Sequence, residues 1–191
     1  MRIVSGTLRG RPLKAPDGRT TRPTTDRVRE ALFSSLFSQT GGFEGIRVLD
    51  AFAGSGALGL EALSRGAEAA VFYETDRSAL KALEANIAAC DLAGPRCGIH
   101  RGDVMKAAFA GGAPFGLVFL DPPYAMPAAD AMGLLQRLAA SGSLAPDALA
   151  VYEHDGRDAP AVQAAAAEAG FAVAASKAYG KTTVSFLKEE R

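Results

Sequence analysis

The chain has 191 residues, of which 48% are hydrophobic and 22% are charged, and its formal net charge at pH 7 is zero. This length suits one ordinary domain with a substantial core, and the charged fraction excludes a disordered chain. No apolar run approaches the roughly 20 residues of a membrane helix, and two cysteines are too few for a disulfide framework or a zinc site on their own. We therefore expect a cytoplasmic protein without a secretory signal, a membrane span or a bound metal.

An arginine-rich arm comes first in the chain. Residues 1–30 contain eight basic and three acidic residues, a local charge of +5 that the rest of the chain offsets. Such a segment favours a polyanionic partner such as nucleic acid, although a solvated arginine-rich surface has the same composition. Loose alternation over residues 2–14 predicts a short hairpin or an extended arm. We place the end of the basic arm at residue 23 and expect one further domain over 24–191.

Helix and strand patterns alternate after the arm. Val28, Leu32 and Leu36 recur every four positions and predict an amphipathic helix over 25–37, capped by Thr24 or Thr25. Short apolar runs predict five strands, at 46–50, 69–74, 98–101, 117–121 and 148–153. Helical stretches predict four more helices, at 57–65, 77–92, 129–140 and 159–169. The alternation predicts an α/β fold with a mostly parallel sheet, to which two final strands at 171–178 and 182–187 add an antiparallel hairpin.

The first candidate site is the glycine-rich turn after the first predicted strand. The sequence there runs D-A-F-A-G-S-G-A-L-G from Asp50 to Gly59. Gly54 and Gly56 allow the main chain to approach a ligand, and the helix that follows offers unpaired N–H groups. We take Phe52 as a further cofactor contact in this turn. The G-x-G-x-x-G pattern alone is a weak signal, because any tight strand-to-helix turn needs small residues.

Acidic residues at three strand ends indicate the kind of cofactor. Glu74 closes the second strand, where a carboxylate can accept hydrogen bonds from ribose hydroxyls. Asp50 would repel a pyrophosphate and attract a cationic amine and a sulfonium, which favours S-adenosylmethionine over NAD. Asp103, followed by Val104, could bind an adenine amino group or cap a helix. Asp50 bonded to backbone N–H groups and a solvated Glu74 remain the structural alternatives.

The second candidate site follows the fourth strand as Asp121-Pro122-Pro123-Tyr124. The two prolines lack N–H donors and stiffen the loop, so the Pro122 carbonyl and the Asp121 carboxylate form an acceptor pair for an exocyclic NH2 group. Tyr124 can stack on the flat ring that carries this amine. Strands one and four are neighbours in a doubly wound sheet, so we expect both candidate loops at the same edge.

An acceptor pair of this kind suits methyl transfer to nitrogen. The lone pair of a nucleobase amine is delocalised into the ring, and two acceptors that hold its hydrogens favour a pyramidal nitrogen. A sulfonium methyl group aligned about 3–3.5 Å away would complete in-line transfer, with positioning supplying most of the catalysis. A stiff turn without a ligand is the structural alternative.

These motifs in combination resemble a known family. Asp-Pro-Pro-Tyr, with Asp-x-Phe-Ala-Gly-Ser-Gly earlier in the chain, is similar to the amino-methyltransferases that use S-adenosylmethionine. The stretches 22–33 and 58–67 resemble the bacterial 16S rRNA guanine-N2 methyltransferase family, the small-subunit methyltransferase D family. The resemblance runs from Arg2 to the hairpin at Tyr179-Gly180.

The resemblance implies a Rossmann-like class I methyltransferase with a seven-stranded sheet. Its substrate would be one guanine N2 of 16S rRNA, either naked or in a small-subunit particle, with no membrane and no obligate protein partner. The implied catalytic residues are Asp121, Pro122, Pro123 and Tyr124. The implied cofactor contacts are Asp50, Phe52, Gly54, Gly56, Glu74, Asp103 and Val104. The implied rRNA contacts are Arg9, Arg11, Arg22 and Arg27.

The residues leave other functions open. An amino-methyltransferase of DNA bases or of a protein glutamine would share the second loop. No separate target-recognition domain is evident for DNA, and by resemblance an Asn in place of Asp121 would be typical of glutamine. A nucleotide-binding oxidoreductase would need a proton donor near its nicotinamide, and none is recognisable. A non-catalytic RNA-binding protein would leave residues 121–124 unexplained.

Overall fold

The computed structural model describes residues 1–16, 26–109, 112–123 and 125–190. The helices are α1 (Asp26–Thr40), α2 (Ala57–Ser64), α3 (Arg77–Ala89), α4 (Ala128–Ala140) and α5 (Ala159–Glu168). The strands are β1 (Arg47–Asp50), β2 (Ala69–Glu74), β3 (Cys97–Arg101), β4 (Phe115–Leu120), β5 (Leu144–Asp155), β6 (Phe171–Tyr179) and β7 (Thr182–Glu189). Two short 3-10 helices, Val104–Lys106 and Gly156–Asp158, were not predicted.

The seven strands form one sheet in the order β3-β2-β1-β4-β5-β7-β6. β2 pairs in parallel with both β1 and β3, and β4 pairs in parallel with β5. β7 runs antiparallel to β5 and to β6. The α/β fold with a mostly parallel seven-stranded sheet and an antiparallel C-terminal hairpin is therefore confirmed.

The chain divides into two compact units, Met1–Val104 and Met105–Arg191. In the first unit, β1 is buried on both faces through Val48 and Leu49, as expected of a parallel strand covered on both sides. In the second unit, all four residues of Leu117–Leu120 are buried, so the end of β4 lies in the core. The predicted domain boundary at residue 23 lies outside the described residues and stays a prediction.

The N-terminal arm folds back on itself as a short, irregular hairpin, which agrees with the predicted hairpin or extended arm. An antiparallel bridge joins Arg2 and Pro12, three main-chain hydrogen bonds of 2.9 Å connect the two limbs, and the segment between the limbs forms turns. The arm is also anchored to α2, because Ile3 is fully buried and the carboxylate of Glu61 on α2 accepts hydrogen bonds from the main-chain N–H groups of Val4 (2.8 Å) and Ser5 (3.0 Å).

Helix α3 ends three residues before its predicted end at position 92. Cys90 is its C-terminal cap, and Asp91 has a left-handed φ of 55°, which an α-helix cannot continue through. The predicted extension of the helix to position 92 was therefore wrong. The predicted caps of α1, Thr24 and Thr25, lie outside the described residues.

None of the helices formed by the described residues is both long enough and apolar enough to cross a membrane.

Candidate active site

The glycine turn, residues 51–56 between β1 and α2, is tied to the end of β2. The N–H group of Ala53 donates to the Tyr73 carbonyl at 2.9 Å. The next main-chain N–H group, that of Gly54, donates a hydrogen bond of 2.8 Å to Oε2 of Glu74. Two predicted cofactor residues from different strand ends are therefore joined directly.

Glycine is present at the two positions of the turn for different structural reasons. Gly56 has φ of 79° and is the N-terminal cap of α2, and a Cβ atom there would lie 2.3 Å from Cδ1 of Leu83. Gly54 has φ of 55°, but a Cβ atom there would meet no atom within 4 Å. Gly56 is thus required by conformation and by packing, whereas Gly54 borders open space that a ligand can fill.

Glu74 has acceptor capacity left for a ligand. Its Oε1 atom accepts hydrogen bonds from the main-chain N–H groups of Thr75 (2.7 Å) and Asp76 (2.8 Å), and Oε2 accepts the one from Gly54. A carboxylate has about four acceptor positions, and the half-buried Glu74 uses three of them here. A ribose hydroxyl can take the remaining position, so Glu74 and the open space at Gly54 fit an adenosine-type cofactor.

Asp50 has a structural partner. Its side chain is only 2% exposed, and Oδ2 accepts a hydrogen bond of 3.0 Å from the main-chain N–H group of Gly59. Asp50 therefore fixes the first turn of α2, which is the backbone-bonded alternative that the sequence left open. Its contact with a cationic ligand stays a prediction.

The remaining predicted cofactor residues lie at the same edge of β1, β2 and β3. The N–H group of Gly102 donates to the main-chain carbonyl of Glu74 at 3.0 Å, which brings the half-buried Asp103 to the end of β2. Val104 is buried and starts a 3-10 helix, and Phe52 is half-buried in the glycine turn. Their contacts with a cofactor stay predictions.

The Asp121 loop, residues 121–123, follows the buried end of β4. Pro123 is engaged in a turn, since its carbonyl accepts a hydrogen bond of 2.8 Å from the N–H group of Met126. Within the described parts of the chain, no donor contacts the Pro122 carbonyl or the Asp121 carboxylate, so both remain available as acceptors. Tyr124 lies outside the described residues.

Glu153 is a residue near Asp121 that the sequence analysis missed. Leu120 and Tyr152 are partners in the parallel pairing of β4 and β5, so Asp121 and Glu153 come one step later on the two neighbouring strands. Asp121 is accessible to solvent, yet surrounding protein atoms desolvate it and raise its pKa to about 6. Desolvation, together with repulsion from Asp121, raises the pKa of Glu153 to about 8. Both pKa values are raised, so the two carboxyl groups hold protons to a higher pH than isolated carboxyl groups do.

Known proteins resemble the whole chain. A family model described as Conserved hypothetical protein 95 matches residues 1–188. Over 159 residues the chain is 40% identical to the Escherichia coli (strain K12) protein named Ribosomal RNA small subunit methyltransferase D, which covers 81% of this chain and 75% of that protein. The chain belongs to the family of that model, which matches nearly its whole length. The Haemophilus influenzae protein of the same name is 33% identical over 169 residues, covering 85% of this chain and 82% of the relative.

A solved structure of a related protein matches the whole chain. The Escherichia coli protein described as "Putative methyltransferase yhhF" matches with a TM-score of 0.80 and 34% identity, and the match covers 100% of this chain and 98% of that one. The resemblance that the two loop motifs and the arginine-rich stretch indicated is thereby confirmed.

The four arginines assigned to rRNA by that family resemblance differ in their surroundings. Arg9 and Arg27 are exposed. Arg11 is engaged, because its guanidinium donates to the Ala89 carbonyl at 2.8 Å and pairs with Asp91 at 3.3 Å, which caps the end of α3. Arg22 lies outside the described residues. Contact of these arginines with RNA stays a prediction.

Proposed function

We propose that this protein transfers a methyl group from S-adenosylmethionine to the exocyclic N2 amine of one guanine in 16S rRNA. The names of two relatives that are 40% and 33% identical support a methyltransferase of small-subunit rRNA. The choice of guanine N2 rests on the resemblance of residues 22–33 and 58–67. The choice of S-adenosylmethionine as methyl donor rests on the carboxylates around the glycine turn.

The residues at the glycine turn suit S-adenosylmethionine, which supplies a methyl group bonded to a positively charged sulfur. Glu74 would accept from the ribose hydroxyls through its remaining acceptor position. Gly54 would let the main chain lie against the ligand, because nothing fills the space beside it. Asp103 would accept from the adenine amino group, and Asp50 would add negative charge beneath the cationic end.

The acceptor pair of Asp121 and Pro122 is the observation that carries the proposal. A carboxylate and a carbonyl without donors, placed where a buried strand ends, have the polarity to hold the two hydrogens of an NH2 group. The neighbouring prolines contribute no competing N–H group. When these two acceptors hold both hydrogens, the lone pair of the nitrogen is free to react. The resulting rate enhancement comes from orientation of the amine.

The carboxyl pair Asp121 and Glu153 can also take the proton that the reaction releases. The guanine nitrogen forms a bond to the methyl carbon as the bond between that carbon and sulfur breaks, and the sulfur keeps the electron pair. The nitrogen then carries one hydrogen too many and a positive charge. An ionised Asp121 that already holds one of its hydrogens can accept that proton, which restores a neutral N2-methylguanine.

The exposed arginines suit a folded RNA substrate. A guanine inside folded RNA must turn outward to reach a catalytic loop, at a cost of a few kcal/mol. Phosphate contacts from Arg9 and Arg27 would offset this cost and would make binding weaken as salt increases. Binding that is unchanged between low and moderate salt would argue against this role.

The decisive experiment supplies methyl-labelled S-adenosylmethionine together with small-subunit RNA or particles from cells that lack the protein. Label should appear on the RNA, and nuclease digestion should release it as N2-methylguanosine. Small-subunit RNA from cells that contain the protein is the control, since its target should already be methylated. Label on DNA, on protein or on another nucleoside would overturn the proposal.

A further inference from the structure

Asn86 of α3 connects the glycine turn to the N-terminal arm. Its side chain is 1% exposed, and its Nδ2 atom donates to the main-chain carbonyl of Ser55 at 2.9 Å. The same Nδ2 atom donates to the Lys14 carbonyl at 3.0 Å, and Oδ1 accepts from the Lys14 N–H group at 2.7 Å. One buried amide therefore binds the main chain of two segments that are distant in sequence.

The bond to Ser55 holds the part of the glycine turn that β2 does not reach. The Ala53 and Gly54 N–H groups are tied to the end of β2, whereas Ser55 is held through its carbonyl by α3. Ser55 lies between two glycines with positive φ, which have the widest conformational freedom of any residue type. A fixed peptide group between them keeps the turn in one conformation.

The arm keeps the Asn86 amide in its orientation. Lys14 contacts the amide through both its N–H group and its carbonyl, so rotation of the side chain would break both bonds as well as the bond to Ser55. The arm is itself anchored to α2, where Oγ of Ser64 donates to the Ser5 carbonyl at 2.6 Å and accepts from the Leu8 N–H group at 3.0 Å. The arm is thus a rigid support for the amide.

We propose that Asn86 is a positioning residue for cofactor binding, and that the arm acts on the glycine turn through the main chain of Lys14. The arm then has a second task, since it preorganises the cofactor turn in the absence of RNA. This inference rests on the proposed function only in that the glycine turn binds S-adenosylmethionine.

The test measures the affinity of the full-length protein for S-adenosylhomocysteine by calorimetry, without RNA. Asn86→Ala loses the donor to Ser55 and should bind about tenfold more weakly, as expected for the loss of one buried hydrogen bond. Hydrogen exchange in the ligand-free variant should be faster in peptides that cover residues 51–56. Asn86→Asp keeps an acceptor for Lys14 but has no donor for Ser55, and it should lose affinity as well.

Two substitutions at Lys14 test the role of the arm without altering α3. Lys14→Pro removes the N–H group that Asn86 binds and should weaken cofactor binding several-fold. Lys14→Ala removes the same charged side chain but keeps the N–H group, so it should bind as the wild type does. Because Lys14 is exposed and α3 keeps its sequence, these variants remain informative if Asn86→Ala does not fold.

Val162→Ala is the control for general destabilisation. It removes buried methyl groups of α5, which packs against α4 and β6, and it belongs to neither the arm nor the glycine turn. It should therefore lower the melting temperature and leave affinity within about twofold of wild type. Equal affinity losses in Val162→Ala and Asn86→Ala, or wild-type affinity in Asn86→Ala and Lys14→Pro, would overturn the inference alone. A wild-type protein that does not bind the ligand would overturn the proposed function and the inference together.

Discussion

The two candidate loops follow strands of the same sheet but are built in opposite ways. In the glycine turn, main-chain groups from Ala53 to Ser55 are bonded to β2, to Glu74 and to Asn86. In the Asp121 loop, the Pro122 carbonyl and the Asp121 carboxylate contact no donor among the described residues. Desolvation raises the pKa of Asp121 to about 6. The Glu74 carboxylate, by contrast, accepts hydrogen bonds from three main-chain N–H groups and has one acceptor position left.

The contrast indicates a separate role for each loop. A turn whose bonds are made inside the protein can present a fixed surface to a cofactor. A loop whose acceptors lack protein partners leaves them free to accept hydrogen bonds from the donors of a ligand. Rigid backbone therefore indicates the cofactor side, and unsatisfied acceptors indicate the substrate side.

The largest expected effect is at the substrate side. Asp121→Ala removes half of the acceptor pair and should lower kcat about 100-fold or more, because both amine positioning and proton acceptance are lost. Affinity for S-adenosylhomocysteine should remain, since Asp121 does not belong to the glycine turn. Single-turnover methylation and calorimetry measure the two quantities. Full activity would show that the loop is only a turn.

Two alanine substitutions test the assignment of the glycine turn to cofactor binding. Gly54→Ala and Gly56→Ala both place a side chain at positive φ, at a cost of about 1–2 kcal/mol each. Gly56→Ala should destabilise more, because Leu83 must move away from the new Cβ atom. Gly54→Ala should instead lose more cofactor affinity, because its Cβ atom enters the space left for the ligand. Urea unfolding and calorimetry compare the two variants, and the opposite ranking would contradict the assignment of that space.

A pH effect tests the carboxyl pair. The pKa values of Asp121 and Glu153 are raised to about 6 and about 8, above those of the unfolded chain, so the folded state binds more protons at intermediate pH. Their contribution to stability is therefore largest at low pH and is lost as pH rises from about 4 to about 8. Glu153→Gln should flatten this decline. Val184, which stands opposite Glu153 on β7, is uncharged, so Val184→Ala is a control that should keep the slope. Urea titrations across the pH range measure this slope. A slope in Glu153→Gln equal to that of the wild type would rule out the pair.

The smallest expected effect is at two exposed arginines, Arg9 of the arm and Arg27 of α1. Arg9→Ala and Arg27→Ala should each weaken RNA binding a few-fold and reduce the magnitude of the salt slope by about one. Lys81→Ala, an exposed charge on α3, is the matched control and should leave the slope unchanged. Filter binding at several salt concentrations measures this slope. Equal effects of all three substitutions would indicate attraction by net charge alone.

The sequence was informative where local chemistry determines structure. Alternating apolar runs placed all seven strands, and Gly54, Glu74 and the residues around Asp121 stand out by type and position. Glu153 and Asn86 could not be found in this way. The importance of Glu153 comes from its register beside Asp121, and that of Asn86 from an arm folding back on α3, and both relationships are set by tertiary packing.

The same limit explains the error at the end of α3. Asp91 adopts a left-handed conformation that a non-glycine residue rarely takes, so no glycine marks the residue after the helix cap. The arm pairs with itself, as its alternating residues predict. Its hydrogen bonds to side chains of α2 and α3, such as Glu61 and Asn86, depend on tertiary packing and could not be predicted.

Glu61 determines how the arm can be studied. This carboxylate is fully buried, and its partners include the main chain of Val4 and Ser5 and the guanidinium of Arg65 at 2.8 Å. Deleting the first residues would leave a buried negative charge with part of its coordination missing, and losses of this type cost about 3–5 kcal/mol. A truncated protein that fails to bind RNA would therefore report unfolding, and only substitutions on the outer surface of the arm can separate recognition from stability.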